Sequence, residues 1–209
     1  WSSDVCSSDL TPCIYTIPVG SLPELKYPKE NRKPFSLITA SRLASEKHVD
    51  WICKAVIQAR TEVPELSLDI YGEGGEKSKL ETIIRENNAS SYIHLMGQHD
   101  LSEVYQNYEA YIAGSTSEGF GLTLMEAVGG GLPIIGFDVR YGNPTFIRDG
   151  ENGYLIDLPE EDKDKIEALR KGIVDLFKQN LEKCHSVSYL VAKDFLTSNV
   201  QEKWREAVC

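Results

Sequence analysis

Residues 35–71 read FSLITASRLASEKHVDWICKAVIQARTEVPELSLDIY and carry a strand, a helix and a second strand in succession. Phe35–Ala40 is an apolar run of strand length. Val49, Ile52, Cys53, Val56 and Ile57 then recur at helical spacing and mark the apolar face of an amphipathic helix. Pro64 ends that unit, and Leu66–Tyr71 alternates as the next strand. Such a unit implies parallel strands joined by a crossover helix.

The alternation continues outward. Gly72, Gly74 and Gly75 turn the chain into a polar helix that ends near Asn87. Tyr92–Met96 is a third strand, followed by a short helix around Leu101–Tyr108, and Ala110–Ala113 is a fourth strand. A helix runs from about Gly121 to Val128, ended by Gly129, Gly130 and Gly131. Pro133–Phe137 is the fifth strand, and Asn152-Gly153 turns into a sixth, Tyr154–Ile156. From Pro159 onward the chain is helical and charged. This pattern predicts an α/β fold: a Rossmann-like parallel sheet with helices on both faces and a helical C-terminal tail.

Upstream, Ser21–Pro34 holds Pro23, Pro28, Pro34 and several charges, and reads as an exposed linker. Residues 1–10, WSSDVCSSDL, match neither structural period and are too short and polar for a signal peptide. They resemble a translated sequencing-adapter scar. The expected organisation is a non-native scar over 1–10, a linker over 11–34, a ligand-binding domain over 35–158 and C-terminal helices over 159–209.

The 209 residues suffice for one good core. The formal net charge of −10 argues against nucleic acid or an anionic membrane surface as main partner, because both call for basic patches. No apolar run approaches the ~20 residues needed to span a bilayer. Cysteines at 6, 13, 53, 184 and 209 show no CxxC spacing and suggest no disulfide framework. Cys53, on the apolar helix face, reads as a buried free thiol. A cytoplasmic protein fits best, at most peripheral at the inner membrane face.

In open α/β sheets ligands bind beyond the carboxyl ends of the strands. The loops to inspect are therefore 41–48, 72–76, 97–100, 114–121 and 138–143. Within them, Glu118-Gly-Phe-Gly-Leu-Thr-Leu-Met-Glu126 is the most informative stretch. Glu118 sits at a strand end and Glu126 within the following helix, on the same face as Leu122. Gly119 and Gly121 let the backbone approach a ligand, and the helix N-terminus suits a phosphate. A carboxylate beside it can accept hydrogen bonds from sugar hydroxyls. The bland alternative is a carboxylate near a helix cap and one on the surface. Arg42 and Lys47 follow the first strand, and a guanidinium with a mobile ammonium suits a diphosphate; solvated surface cations are the alternative.

Tyr71-Gly-Glu-Gly-Gly75 has two glycines of the dinucleotide fingerprint but Lys77 in place of the third. It is either a tight turn alone or a turn lining a nucleotide pocket. His48, His94, His99 and His185 lack metal-ligand spacing. Asp162-Lys-Asp164 is formally a DxD, but it stands in a charged helical run and reads as a solvated face.

Arg42-x4-Lys47, then Glu118-x7-Glu126 with GFG inside, then a Gly-x-Pro-Ile stretch, resembles the donor domain of retaining GT-B glycosyltransferases of family 4. The resemblance covers roughly Phe35 to Ile156. SRLASEKHVDW, DIYGEGGE, STSEGFGLTLMEA and GFDVRYGN are most similar to the bacterial subgroup that adds the first N-acetylglucosamine to serine-rich surface adhesins. The wall-teichoic-acid N-acetylglucosaminyl- and glucosyltransferases share similar strings.

The resemblance implies a UDP-sugar donor, UDP-N-acetylglucosamine, and a polypeptide acceptor. It also implies a companion glycosyltransferase-like subunit, and neither a metal nor another cofactor. Arg42 and Lys47 would hold the diphosphate and, with Glu118, carry catalysis. Glu118 and the backbone of Gly119, Phe120, Gly121 and Leu122 would hold the sugar. Glu126 would bind the ribose, and Met96-Gly97 would meet the uracil. An acceptor domain is expected upstream, so that this part alone would bind donor but turn it over poorly. His48 stands where many family members have glycine. Rival readings are a polyol-phosphate transferase, a non-catalytic sugar-nucleotide-binding or stabilising subunit, and a dinucleotide-binding module.

Overall fold

The computed structural model describes residues 16–18 and 20–208. The scar reading of 1–10, the start of the linker, and Cys6, Cys13 and Cys209 lie outside the described residues. Six strands, β1 (Ser36–Ala40), β2 (Ser67–Tyr71), β3 (Ile93–Gly97), β4 (Ala110–Ile112), β5 (Ile134–Phe137) and β6 (Gly153–Ile156), form one sheet in the order β3-β2-β1-β4-β5-β6. Every neighbouring pair is parallel. The helices are α1 (Val49–Ala59), α2 (Lys77–Glu86), α3 (Leu122–Gly129), α4 (Gly142–Phe146), α5 (Asp162–Phe177), α6 (Leu181–Lys193) and α7 (Thr197–Val208). The doubly wound α/β architecture is the one the alternation implied. Its winding reverses between β1 and β4, which opens a crevice at their carboxyl ends.

The sheet is buried on both faces, so β1 is one continuous buried run rather than an alternating one. Leu37 joins a core with Ile52, Val56, Leu80, Leu169 and Ile173 beneath α1, α2 and α5. Ile38 and Ala40 face the other way, onto Leu124, Val128, Phe146 and Val191 beneath α3, α4 and α6. Cys53 is fully buried, and burial pushes its thiol up to about 12.

Three expectations are corrected. The helix around Leu101–Tyr108 is a 3-10 turn at Tyr105–Asn107, because three-residue hydrogen bonds such as Asn107 N–H to Val104 O (3.1 Å) close it. The loop expected over 138–143 gives way at Gly142 to the short α4, in which Pro144 falls in the first turn, where proline is tolerated. Finally, Ser21–Pro34 is not an exposed linker throughout. Leu22 is 6% exposed; its N–H donates to Phe195 O (2.7 Å) and its carbonyl accepts from Thr197 N–H (2.8 Å). The Arg32 guanidinium donates to the carbonyls of Gln106, Tyr108 and Gly130 at 2.8, 2.8 and 2.9 Å. Prolines and charges gave the stretch its polar look, but one leucine and one arginine find buried partners far along the chain.

Candidate functional site

At the end of β1 the chain makes a 3-10 turn, Ser45–Lys47, and His48 starts α1 in the left-handed region at φ 45°. Glycine is the usual occupant of such a position, and His is among the exceptions. The His48 ring stacks on Trp51 at 3.6 Å, and its Nε2 lies 3.4 Å from Thr116 Oγ1. Burial lowers the His48 pKa, with Lys165 and Lys79 acting in the same direction against Asp50 and Asp162. A Cβ on Gly114 would stand 2.8 Å from His48 O, so the turn rests directly on the end of β4.

That contact brings Lys47 to Glu118, with Nζ 2.6 Å from Oε2 and both side chains about a fifth exposed. Glu118 is held by its backbone, whose carbonyl accepts from the N–H groups of Tyr141 (2.6 Å) and Gly142 (3.0 Å). Gly142 is needed for this approach, since a Cβ there would lie 2.7 Å from Glu118 Cγ. Gly121, at φ 86°, turns the chain into α3. The first N–H groups of a helix have no intrahelical acceptor and carry positive partial charge.

The crevice comprises two adjoining cavities. One, of about 440 Å³, is lined by Lys47, Glu118 and the run Gly119–Thr123. The other, of about 290 Å³, is lined by Tyr71, Gly72, Glu73, Gln98, His99 and Leu101. Ala40, Ser41, Arg42 and Thr123 line both.

The structure therefore gathers Lys47, Glu118, Gly119, Phe120, Gly121 and Leu122 around one cavity, as their positions suggested. Arg42 stands at the lip, its side chain 78% exposed and paired with Glu46 at 3.0 Å. Glu126 is one helical turn beyond Leu122. It lines a neighbouring cavity of about 200 Å³ that shares Leu101 with the crevice, and it accepts a hydrogen bond from the Tyr105 hydroxyl (3.1 Å). Desolvation raises its carboxyl above the ordinary value, the Tyr105 hydrogen bond opposes this, and Asp100 adds to the rise.

Met96 and Gly97 do not line the crevice. Gly97 turns the chain at φ 75°, and the next residues, Gln98 and His99, form the wall. His99 Nε2 lies 2.8 Å from Met96 O, and its ring meets Tyr71 edge-on at 5.9 Å. Gln98, His99, Leu101 and Thr123 line the crevice, and no sequence motif singles them out as site residues. Loop position pointed to 97–100, but nothing in residue type singled out His99. Tyr71-Gly-Glu is both turn and lining, and Gly72 packs so closely that a Cβ would fall 1.9 Å from Ser41 O.

Asp162 and Asp164 lie in the first turn of α5, where Asp162 pairs with Lys165 at 3.0 Å. Among the described residues no group of three or more His, Cys, Asp or Glu is placed to hold a metal ion. No described helix is long and apolar enough to cross a membrane.

A doubly wound sheet with a lysine–glutamate pair at its switch point, beside a helix opened by glycine, places a lined crevice where open α/β sheets bind their ligands. The chain belongs to the group 1 glycosyl transferases, whose family profile matches residues 24–191. It is 57% identical over 200 residues to the UDP-N-acetylglucosamine–peptide N-acetylglucosaminyltransferase GtfA subunit of Limosilactobacillus reuteri, covering 94% of this chain and 39% of that protein. The pneumococcal O-GlcNAc transferase GtfA, solved in complex with UDP and GlcNAc, superposes with a TM-score of 0.90 at 54% identity, over 94% of this chain and 40% of that one. A GtfA/B complex gives 0.87 at 56% identity, over 95% and 40%. The chain thus spans about two fifths of the length of these relatives.

Proposed function

We propose that this chain is the donor-binding part of a retaining GT-B glycosyltransferase of family 4 that transfers N-acetylglucosamine from UDP-N-acetylglucosamine to Ser or Thr of a serine-rich surface protein. The observation that carries the reading is the Lys47–Glu118 pair at 2.6 Å, set against the start of α3 in the larger cavity. Family membership and the high identity to a peptide N-acetylglucosaminyltransferase subunit support the donor and acceptor.

In this reading Lys47, Arg42 and the α3 N-terminus receive the diphosphate. They stabilise the negative charge that grows on it as the glycosidic bond breaks. Arg42 swings from Glu46 onto the phosphates. Glu118 and the backbone of Gly119–Leu122 take the sugar hydroxyls, and Glu126 takes the ribose. The uracil lies along Gln98 and His99 rather than Met96 and Gly97. The departing diphosphate assists deprotonation of the incoming hydroxyl, so no protein base is assigned, and no metal is required. The protein works in the cytoplasm with a companion glycosyltransferase-like subunit, a pairing supported by the likeness to the GtfA/B complex. By itself the chain binds donor and turns it over poorly.

Calorimetric titration with UDP and UDP-N-acetylglucosamine, with and without magnesium, tests the reading beside Glu126→Ala. Binding that is indifferent to magnesium and weakened by the substitution is expected. A folded chain that binds neither compound, or that binds only with magnesium, contradicts it.

A further inference from the structure

On the sheet face covered by α3 and α6, Tyr71, Tyr105, Tyr108 and Tyr111 form one buried layer, and each hydroxyl has a partner. Tyr108 donates to Asp69 (2.6 Å) and meets the Tyr71 hydroxyl at 3.0 Å. Tyr111 donates to Ala40 O (2.9 Å) or Thr123 Oγ1 (3.1 Å). Tyr71, Ala40 and Thr123 line the crevice, but none of these contacts reaches Glu118 or Glu126. The fourth differs: Tyr105, itself 3% exposed, donates to Glu126 Oε2 at 3.1 Å, and Glu126 lines a cavity.

Gly130 makes this contact geometrically available. A Cβ there would sit 2.8 Å from Tyr105 Cβ and 3.1 Å from the Gln106 nitrogen, both inflexible neighbours. The middle glycine of the 129–131 run therefore does more than end α3: it lets the 3-10 turn lie against the helix, with the Tyr105 hydroxyl reaching Glu126. The ring is packed against Tyr111, with centroids 6.2 Å apart, and cannot swing off its partner without opening the core.

We propose that Tyr105 is a positioning residue for the nucleotide: it aims the Glu126 carboxylate at the ribose. This rests on the reading of Glu126 as the ribose ligand. An ionised carboxylate only accepts hydrogen bonds, through two oxygens. With Tyr105 anchored on Oε2, the remaining acceptor sites can serve two vicinal hydroxyls; a protonated carboxyl would lose acceptor capacity. The charged and titratable groups around Glu126 are Tyr105 in the 3-10 turn, Asp100 in the preceding loop, and Glu24 and Lys26 across the cavity. Desolvation and Asp100 favour the neutral acid, and Tyr105 is the group that opposes them.

The test uses the parent chain, Tyr105→Phe, Glu126→Gln and the double variant. UDP affinity is measured by calorimetry between pH 5 and 8, and the Glu126 carboxyl is titrated by carbon-13 NMR in the parent and Tyr105→Phe. Removing a hydrogen bond to a charged group should weaken UDP about tenfold. It should also move the Glu126 titration, and the acid limb of binding, to higher pH. In the Glu126→Gln background Tyr105→Phe should cost UDP clearly less than in the parent, because the amide oxygen accepts only a weaker, uncharged hydrogen bond. An unmoved Glu126 titration overturns the proposal. So does a Tyr105→Phe loss of equal size in both backgrounds, which is what a purely structural tyrosine gives. Glu126→Gln binding UDP as tightly as the parent overturns the ribose reading, and the proposal with it; a clear loss in Glu126→Gln with an undiminished Tyr105→Phe effect overturns the proposal alone.

Discussion

Replacing Glu118 by Gln should tighten UDP and at the same time weaken the sugar's share of UDP-N-acetylglucosamine binding. In the unliganded protein Lys47 Nζ is 2.6 Å from Glu118 Oε2, and both side chains are about a fifth exposed. A diphosphate reaching Lys47 must share that ammonium with a carboxylate and approach a like charge. Two unit charges ~4 Å apart interact by about 1 kcal/mol in water and about 4 kcal/mol at an effective dielectric constant near 20. Glutamine still offers Lys47 an amide oxygen, and solvent screens part of the effect, so about 1 kcal/mol should remain, a roughly fivefold gain for UDP. The sugar loses a charge-assisted hydrogen bond of about 1.5 kcal/mol or more. The preference for UDP-N-acetylglucosamine over UDP should therefore fall by more than tenfold. Calorimetry with both compounds at low salt and at about 0.5 M salt reads this directly, and the UDP gain should shrink as salt screens the charges. Equal weakening of UDP and UDP-N-acetylglucosamine would refute the reasoning, because Glu118 would then support the phosphate site rather than compete for it.

Gly142→Ala places a Cβ 2.7 Å from Glu118 Cγ and 2.8 Å from Phe120 O. It should cost about 1–3 kcal/mol of stability and also weaken UDP-N-acetylglucosamine; parental melting and binding would show that the loop yields freely. Leu22→Ala should cost about 2–3 kcal/mol in urea unfolding, at the lower end for a buried leucine, and a loss below about 0.5 kcal/mol would mean that the strap to Phe195 and Thr197 contributes little. His185 is lowered to about 4 by burial and by Arg32, against its hydrogen bond to Glu109 O. A base whose folded pKa is depressed is protonated first in the unfolded chain. Its contribution is therefore present above the ordinary histidine value and is lost as pH falls from about 6.5 towards 4, amounting to about 3 kcal/mol. His185→Gln should flatten that part of the stability-versus-pH curve, and an unchanged slope would assign the acid sensitivity to other groups.

Much of this protein is written locally. Each of the six strands lies within one residue of the bounds that apolar runs implied. A parallel strand buried on both faces is a short apolar run, and its crossover helix shows a 3.6-residue period; both are properties of neighbouring residues. The glycines between Glu118 and Glu126 likewise marked a strand-to-helix turn, and the turn is there.

Other features depend on pairs far apart in the chain, and no local pattern encodes those. Strand order placed β1 beside β4, and so brought Lys47 within 2.6 Å of Glu118, 71 residues away. Gly97's turn moved the crevice wall from Met96 to Gln98 and His99. A stretch of prolines and charges became a strap because Leu22 and Arg32 met partners from elsewhere in the chain. Tyr105 came to Glu126 because Gly130 has no side chain to keep them apart. Periodicity reports how a segment folds against a generic apolar surface; which side chain it meets there is settled only when the sheet closes the distance.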